Sequence, residues 1–313
     1  MLQHNANLDT KLQMRVGIPH TGGSLAFHAF EEQYSCMVSA NAFWNNKTRK
    51  FRTQEASNLH DLDWALDSAG FTAIKLWQTK GLQPGMAGVF PWTYEQYIEL
   101  ASFSGCAWYA QADLCCEPEL ANSQHKIDYR INATATLLEG MLRVIYAWQS
   151  ELAKSGWSDV MIANTLKPPV PVVQGWCADD YRRSFELMQQ VWSRWEPWLA
   201  PPALIGIGSV CRRNLHDPDH GLYAILDAIE DMVPSGSRLH LFGVKGLALG
   251  ELRERGYIAS VDSMAWDMGS RVKSRTAQVP NSIARRTSAM SEWMREAQSR
   301  LRSAKTVTMR PAI

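Results

Sequence analysis

The stretch GYIASVDSMAW, residues 256–266, holds a mostly apolar run, Tyr257 to Val261, that ends on one carboxylate, Asp262, with Ser263 behind it and an aromatic soon after. Packing gives a strand no reason to end on an acid. What matters is whether other runs in the chain end in the same way.

Seven do. Short β-prone runs begin at Met14 (MRVGIP), Cys36 (CMVSANAF), Trp64 (WALDSAGF), Ala107 (AWYAQADL), Pro171 (PVVQGW), Leu204 (LIGIGS) and Leu239 (LHLFGV), and the run at Tyr257 (YIASVDS) makes eight. Several are continuously apolar rather than alternating, as strands of a parallel sheet buried on both faces should be. A longer helical or loop segment follows each. Tyr129 to Lys154 carries Leu138, Met141, Leu142, Ile145, Trp148 and Leu152 on one stripe at helical spacing. The next helix, capped by Asp179 or Asp180, has the stripe Phe185, Met188, Val191, Trp192, Trp195. Residues 221–232 and 281–302 read as two more. These Trp and Met stripes belong to a core, not to a cofactor box. Eight strands alternating with helices predict an α/β protein with a (β/α)8 TIM barrel, and an open doubly wound sheet is the competitor.

Bulk composition agrees. The chain has 313 residues, 46% hydrophobic and 20% charged, which suits one large domain or two smaller ones. No apolar run is long enough to span a bilayer, and the N-terminus lacks a signal-peptide layout, so a cytoplasmic location is expected. The six cysteines show no paired metal-ligand spacing and read as reduced, mostly buried thiols. The net charge of +1 hides an asymmetry. From Arg271 onward ten Lys or Arg face only Glu292 and Glu296, so this tail carries about +8 and the body about −7. We therefore expect a barrel over 1–270 and a basic helical segment over 271–313 packed on it. Such a segment can bind a polyanion, or be no more than a solvated helical face.

In a barrel, catalytic groups sit at the C-terminal ends of the strands. The third run ends in DSAGF, residues 67–71, the fourth with Asp113, the fifth with Gln174-Gly175, the sixth in Gly206 to Ser209, the seventh in Phe242 to Gly246 and the eighth with Asp262-Ser263. One such Asp could be a helix cap. Three at equivalent places suggest chemistry. Two carboxylates can divide a displacement at a sugar carbon between nucleophile and proton carrier. A third, ionised, accepts hydrogen bonds from the donor edge of a guanine-like base. Phe71 can stack on a base, and Gly208 lets backbone approach it.

At these residues a family resemblance emerges. DSAGF resembles the DSGGF/DSGGY signature of guanine transglycosylases, which exchange guanine for 7-deazaguanines in nucleic acid. PVVQGWCADDYRRS is similar to their VVQGG…DLR segment, IGIGSV to IGGL, LHLFGVKG to HLMGVG, and SVDSMAW to FDSASY. The signatures keep the family's order across Asp67 to Trp266, about two-thirds of the chain. Their spelling is most similar to DpdA-type enzymes, which place 7-deazaguanine bases in DNA and occur in phages and genomic islands. The resemblance implies Asp262 as nucleophile, Asp67 as acid/base, Phe71 as stacking ring, and Ser68, Asp113, Gln174, Gly208 and Ser209 as base-binding residues. The expected partners are DNA and a base such as 7-cyano-7-deazaguanine, with room for an accessory DNA-opening protein. Arg271, Lys273, Arg275, Arg285 and Arg286 are the expected phosphate contacts.

Departures accompany the match. Ala69 and Ser209 replace family glycines, and Thr72 stands where Gln is usual. The C-x-C-x-x-C…H zinc site of the family has no counterpart, since no Cys or His follows Asp262. We expect no zinc subdomain, no metal and no cofactor, because one glycosidic bond simply replaces another. The competing expectations are the same reaction on tRNA and a non-catalytic subunit that binds nucleic acid. A serine hydrolase is excluded by the lack of a G-x-S-x-G elbow, and HTGGS at His20 lacks the Lys of a P-loop.

Overall fold

A computed structural model describes residues 11–20, 23–52 and 58–302. Part of the HTGGS stretch and the end of the basic tail, with Lys305 and Arg310, lie outside the described residues.

All eight expected runs form strands: β1 Gln13–Ile18, β2 Cys36–Ser39, β3 Trp64–Asp67, β4 Trp108–Tyr109, β5 Val172–Val173, β6 Leu204–Ile207, β7 Arg238–Leu241 and β8 Ile258–Ser263. They make one parallel sheet in the order β4-β3-β2-β1-β8-β7-β6-β5. Its two edges meet. Ala110 and Val170 form a parallel bridge, with the Val170 N–H donating to Tyr109 at 2.8 Å and the Gln111 N–H donating to Val170 at 2.9 Å. The sheet is thus a (β/α)8 barrel, and the open-sheet competitor is excluded.

The seam between β4 and β5 is thin, and a side chain completes it. Buried Gln111 accepts the Val172 N–H at 2.9 Å and donates to the Thr134 carbonyl at 2.9 Å. One amide thereby stands in for missing ladder bonds and ties the seam to the helix behind it.

Strand alternation divides the apolar residues into two layers. Met37, Ala65, Trp108, Val170, Leu204 and Ala259 cluster inside the barrel, with Phe242 against them. Val16, Val38, Leu66, Ile205, Leu239 and Val261 face outward into the main core under the helices. Those helices are α1 Ser24–Glu31, α2 Gly70–Lys80, α3 Tyr94–Phe103, α4 Gln124–Lys154, α5 Asp159–Thr165, α6 Ala178–Ser193, α7 Leu222–Ile229, α8 Leu249–Leu252, α9 Ala265–Thr276 and α10 Ile283–Arg302. The stripe expected on α4 is buried at Leu138, Met141, Leu142 and Ile145. Neither expected residue is the N-cap of α6, which is Cys177; Asp180, in the first turn, reaches back and accepts the N–H groups of Trp176 and Cys177, each at 3.1 Å. Between β2 and β3 the chain adds a small antiparallel hairpin, Trp44–Asn45 with Lys50–Phe51.

The boundary expected at residue 270 falls inside α9. This helix and α10 pack on each other, and α10 also lies against β1, α1 and α8. The pair is locked by Asp267, 1% exposed, which takes Arg286 Nε at 2.8 Å and Arg271 at 2.6 Å.

Gln111→Leu should destabilise the protein by roughly 2 kcal/mol, because it strands the buried Val172 N–H. Urea unfolding measures this, and a loss below about 1 kcal/mol would mean that the seam does not depend on the amide.

Candidate active site

At the C-terminal mouth of the barrel lies a cavity of about 650 Å³, lined by Asp67, Phe71, Asp113, Gln174, Gly208, Ser209 and Asp262 among others. Seven of the eight residues expected to act on the base or sugar therefore meet in one place. The eighth, Ser68, is buried just behind and donates to Asp113 Oδ1 at 2.5 Å.

The wall formed by β4, β5 and β6 is a continuous polar network. Gln174 Nε2 donates to Asp113 Oδ2. Ser209 Oγ lies 2.6 Å from Gln174 Oε1 and 3.2 Å from Glu117 Oε2, and it accepts the Cys116 N–H at 2.7 Å. Each Asp113 oxygen keeps a further lone pair for an incoming donor. Gly208 is required here: a Cβ would stand 2.0 Å from Gln174 Nε2. Buried Arg213 fixes the loops behind this wall, donating to the Ser209, Trp176 and His220 carbonyls at 2.7 Å each while stacking on Trp176.

The two departures from family glycine fall at left-handed backbone, with φ 66° at Ala69 and 54° at Ser209. Glycine adopts this conformation freely, whereas other residues pay about 1 kcal/mol or more. At Ser209 the cost is offset by a hydroxyl that joins Gln174, Glu117 and Cys116.

On the opposite wall, Asp262 has one oxygen engaged. Its Oδ1 accepts the Gly243 N–H at 2.8 Å and lies 3.4 Å from Nε2 of His240. His240 is fully buried, with Nδ1 2.8 Å from Ser260 Oγ and its ring set edge-on between Trp108 and Phe242. Burial lowers its pKa, so the ring is neutral near pH 7. With Oδ1 held, Oδ2 of Asp262 is the oxygen left to act. Sequence reasoning passed over His240, Glu117 and Arg213, and the only available signal was a polar residue inside an otherwise apolar strand or turn.

Electrostatics separates the carboxyls. Burial, and then the charge of Asp262, push Asp67 up to about 6, against the N–H groups of Ala69 and Ser68 and the Ser39 hydroxyl. Burial pushes Asp113 up to about 7, opposed by its bonds from Ser68 and Gln174. Glu117 is raised too, again by burial. Asp67 thus keeps its proton to a higher pH than an ordinary carboxyl does, as a general acid needs.

None of Arg271, Lys273, Arg275, Arg285 and Arg286 lines the cavity. Helix α9 leaves the mouth at Ala265 and packs on α10, which is the helix that lies against β1, α1 and α8. Arg275 and Arg285 are exposed on either side of the turn between these helices, and Arg286 is buried on Asp267. Among the described residues the one grouping of potential metal ligands is Asp217, Asp219 and His220. Asp217 spends an oxygen there on its own turn, accepting the N–H groups of Asp219 and His220.

A barrel with two carboxyls and a base-sized polar wall at its mouth has the build of a guanine transglycosylase-like protein. Comparison agrees: the family model DpdA, DeoxyPurine in DNA protein A, matches residues 35–312, and the chain belongs to that family. No curated protein matches the chain.

Two measurements test the site. Gly208→Ala should fold yet push Gln174 off Asp113, visible as a rotated Gln174 side chain in a crystal structure. For Asp67, the ordinary value of 3.8 is the unfolded one and about 6 the folded one. Stability should therefore be unaffected below pH 4, fall as pH rises to about 6, and then level off. Asp67→Asn should gain about 3 kcal/mol over the wild type at pH 8 and nothing at pH 4. An equal difference at both values, measured by urea unfolding, would mean that Asp67 titrates normally.

Proposed function

We propose that the protein is a DNA guanine transglycosylase that exchanges guanine for a 7-deazaguanine base through a covalent Asp262–sugar intermediate. The observation that carries this reading is the meeting of Asp262, Asp67 and the Asp113–Gln174–Ser209 wall in one cavity, in a chain of the DpdA family.

A guanine nucleotide enters the mouth flipped out of the duplex or taken from a single strand. The base lies against Phe71, with its donor edge on Asp113 and the rest of its polar rim on Gln174, Ser209 and the backbone of Gly208. Oδ2 of Asp262 attacks the anomeric carbon as the glycosidic bond breaks through an oxocarbenium-like state. Guanine leaves with the proton of Asp67. The sugar is now esterified to Asp262, and the phosphodiester backbone stays intact. The 7-deazaguanine base takes the vacated place, attacks the same carbon, releases Asp262 and returns its ring proton to Asp67. Two inversions give net retention. Water must be kept out during this interval, since hydrolysis of the ester would leave an abasic site.

A tRNA substrate is the rival for the same chemistry, with the 2′-hydroxyl as the difference to be sensed. A non-catalytic binding subunit would have no use for both Asp67 and Asp262. Of the expected phosphate contacts in the tail, Arg271, Lys273, Arg275 and Arg285 are exposed and stay candidates, whereas Arg286 is buried.

The test is base exchange on duplex DNA and on tRNA with 7-cyano-7-deazaguanine, read by nucleoside mass spectrometry. A deazaguanine deoxynucleoside should form with the wild type. Asp262→Ala should reduce it at least about a thousandfold, and Asp67→Asn about 10²–10⁴-fold. Product in tRNA alone would move the protein to the rival substrate. Absence of product from both would sink the enzymatic reading.

A further inference from the structure

The mouth of this barrel is acidic. Asp67, Asp113, Glu117, Glu119 and Asp262 all line the cavity. A polyanion brought there meets repulsion unless cations hold it at the rim. The basic tail does not line the cavity, and Arg271 and Arg286 are engaged by Asp267.

A different segment fits the need. Residues 44–52, WNNKTRKFR, place Lys47, Arg49, Lys50 and Arg52 within six positions, and no acid occurs from Gln33 to Gln54. This segment is the hairpin that follows β2, at the end of the barrel where β3 delivers Asp67. Asn41 and Ala42, just before Trp44, line the cavity itself. All four cations are exposed, and none has an ion-pair partner among the described residues.

The hairpin is also stiff. Trp44 packs edge-on against Phe51 at 5.0 Å between ring centres, and Trp92 lies 5.4 Å from Trp44 and 5.1 Å from Phe51. Its loop is closed by the Arg49 N–H on the Asn45 carbonyl at 2.8 Å and by the Lys47 N–H on Asn45 Oδ1 at 2.9 Å. Gln96 on α3 donates to the Arg49 carbonyl at 3.1 Å, pinning the loop from below. The four charges are therefore presented with little backbone entropy left to lose on binding.

We propose that the hairpin of residues 44–52 is the phosphate grip of this protein: it holds the backbone of the DNA beside the nucleotide that enters the cavity. The proposal rests on the functional reading for the identity of its ligand. It adds a structured cationic finger at the mouth to the exposed cations of the tail.

The test is binding, read separately from base exchange. A fluorescein-labelled DNA duplex is titrated with the full chain by anisotropy, over salt from about 50 to 200 mM. The variant Lys47→Gln/Arg49→Gln/Lys50→Gln/Arg52→Gln should lose at least tenfold in affinity. Its plot of log affinity against log salt should flatten by about 3, since each lost phosphate contact removes 0.7–0.9 from the slope. A charge-keeping variant, Arg49→Lys/Arg52→Lys, should stay within about threefold of the wild type, which rules out collapse of the hairpin as the cause. An equal-charge variant at the opposite end, Lys80→Gln/Lys154→Gln/Lys167→Gln/Arg194→Gln, separates local contact from net charge.

A hairpin variant that binds like the wild type overturns the proposal, and so does a far-end variant that loses as much. If the wild type exchanges base while the hairpin variant binds normally, the grip is wrong and the function stands. If the hairpin variant loses DNA while the wild type exchanges no base, the grip stands and the function falls. A wild type that binds no DNA overturns both.

Discussion

The barrel closes through very little, and the site is built on that closure. Between β4 and β5 the ladder shrinks to the Ala110–Val170 bridge. Side-chain amides take over from backbone: Gln111 bonds across the seam to Val172, and a few residues further toward the mouth Gln174 bonds across it to Asp113. The residues that would read a base are thus the same ones that finish the barrel. A buried amide or carboxylate left without its partner costs 1–3 kcal/mol or more, so each member of the chain Ser68–Asp113–Gln174–Ser209 holds the next in place.

That arrangement is held against electrostatic opposition. Three carboxyls raised by burial share the cavity with Asp262, and the pKa values of Asp67 and Asp113 record the strain of keeping them there. Stability that the fold could have had is given up to gather these carboxyls at one mouth. Left-handed backbone at Ala69 and Ser209 adds to the cost, at the two turns that aim Asp67 and Gln174. Binding of a polyanion beside so many acids then demands cations elsewhere on the rim, and the hairpin after β2 has them.

Much of this was legible in the chain. Period and run length revealed eight strands, and all eight formed, because a residue run buried on both faces has few other ways to satisfy its backbone. The strand-end residues were legible for the same reason: once the strands are placed, parallel order brings Asp67, Asp113, Gln174, Ser209 and Asp262 to one end whatever the loops do. The hairpin was not legible as a binding element. Its cations are four among 32 Lys and Arg, and the tail holds more of them.

By itself, then, the sequence determined the barrel, the mouth and the order of acids around it, since these follow from local pattern and the handedness of parallel β–α connections. Tertiary structure decided which charges are free. Arg286 is consumed by Asp267 nineteen residues away, and His240 reaches Asp262 from the neighbouring strand. Pairing, burial and distance from the mouth depend on contacts between residues far apart in the chain, and composition carries no record of them.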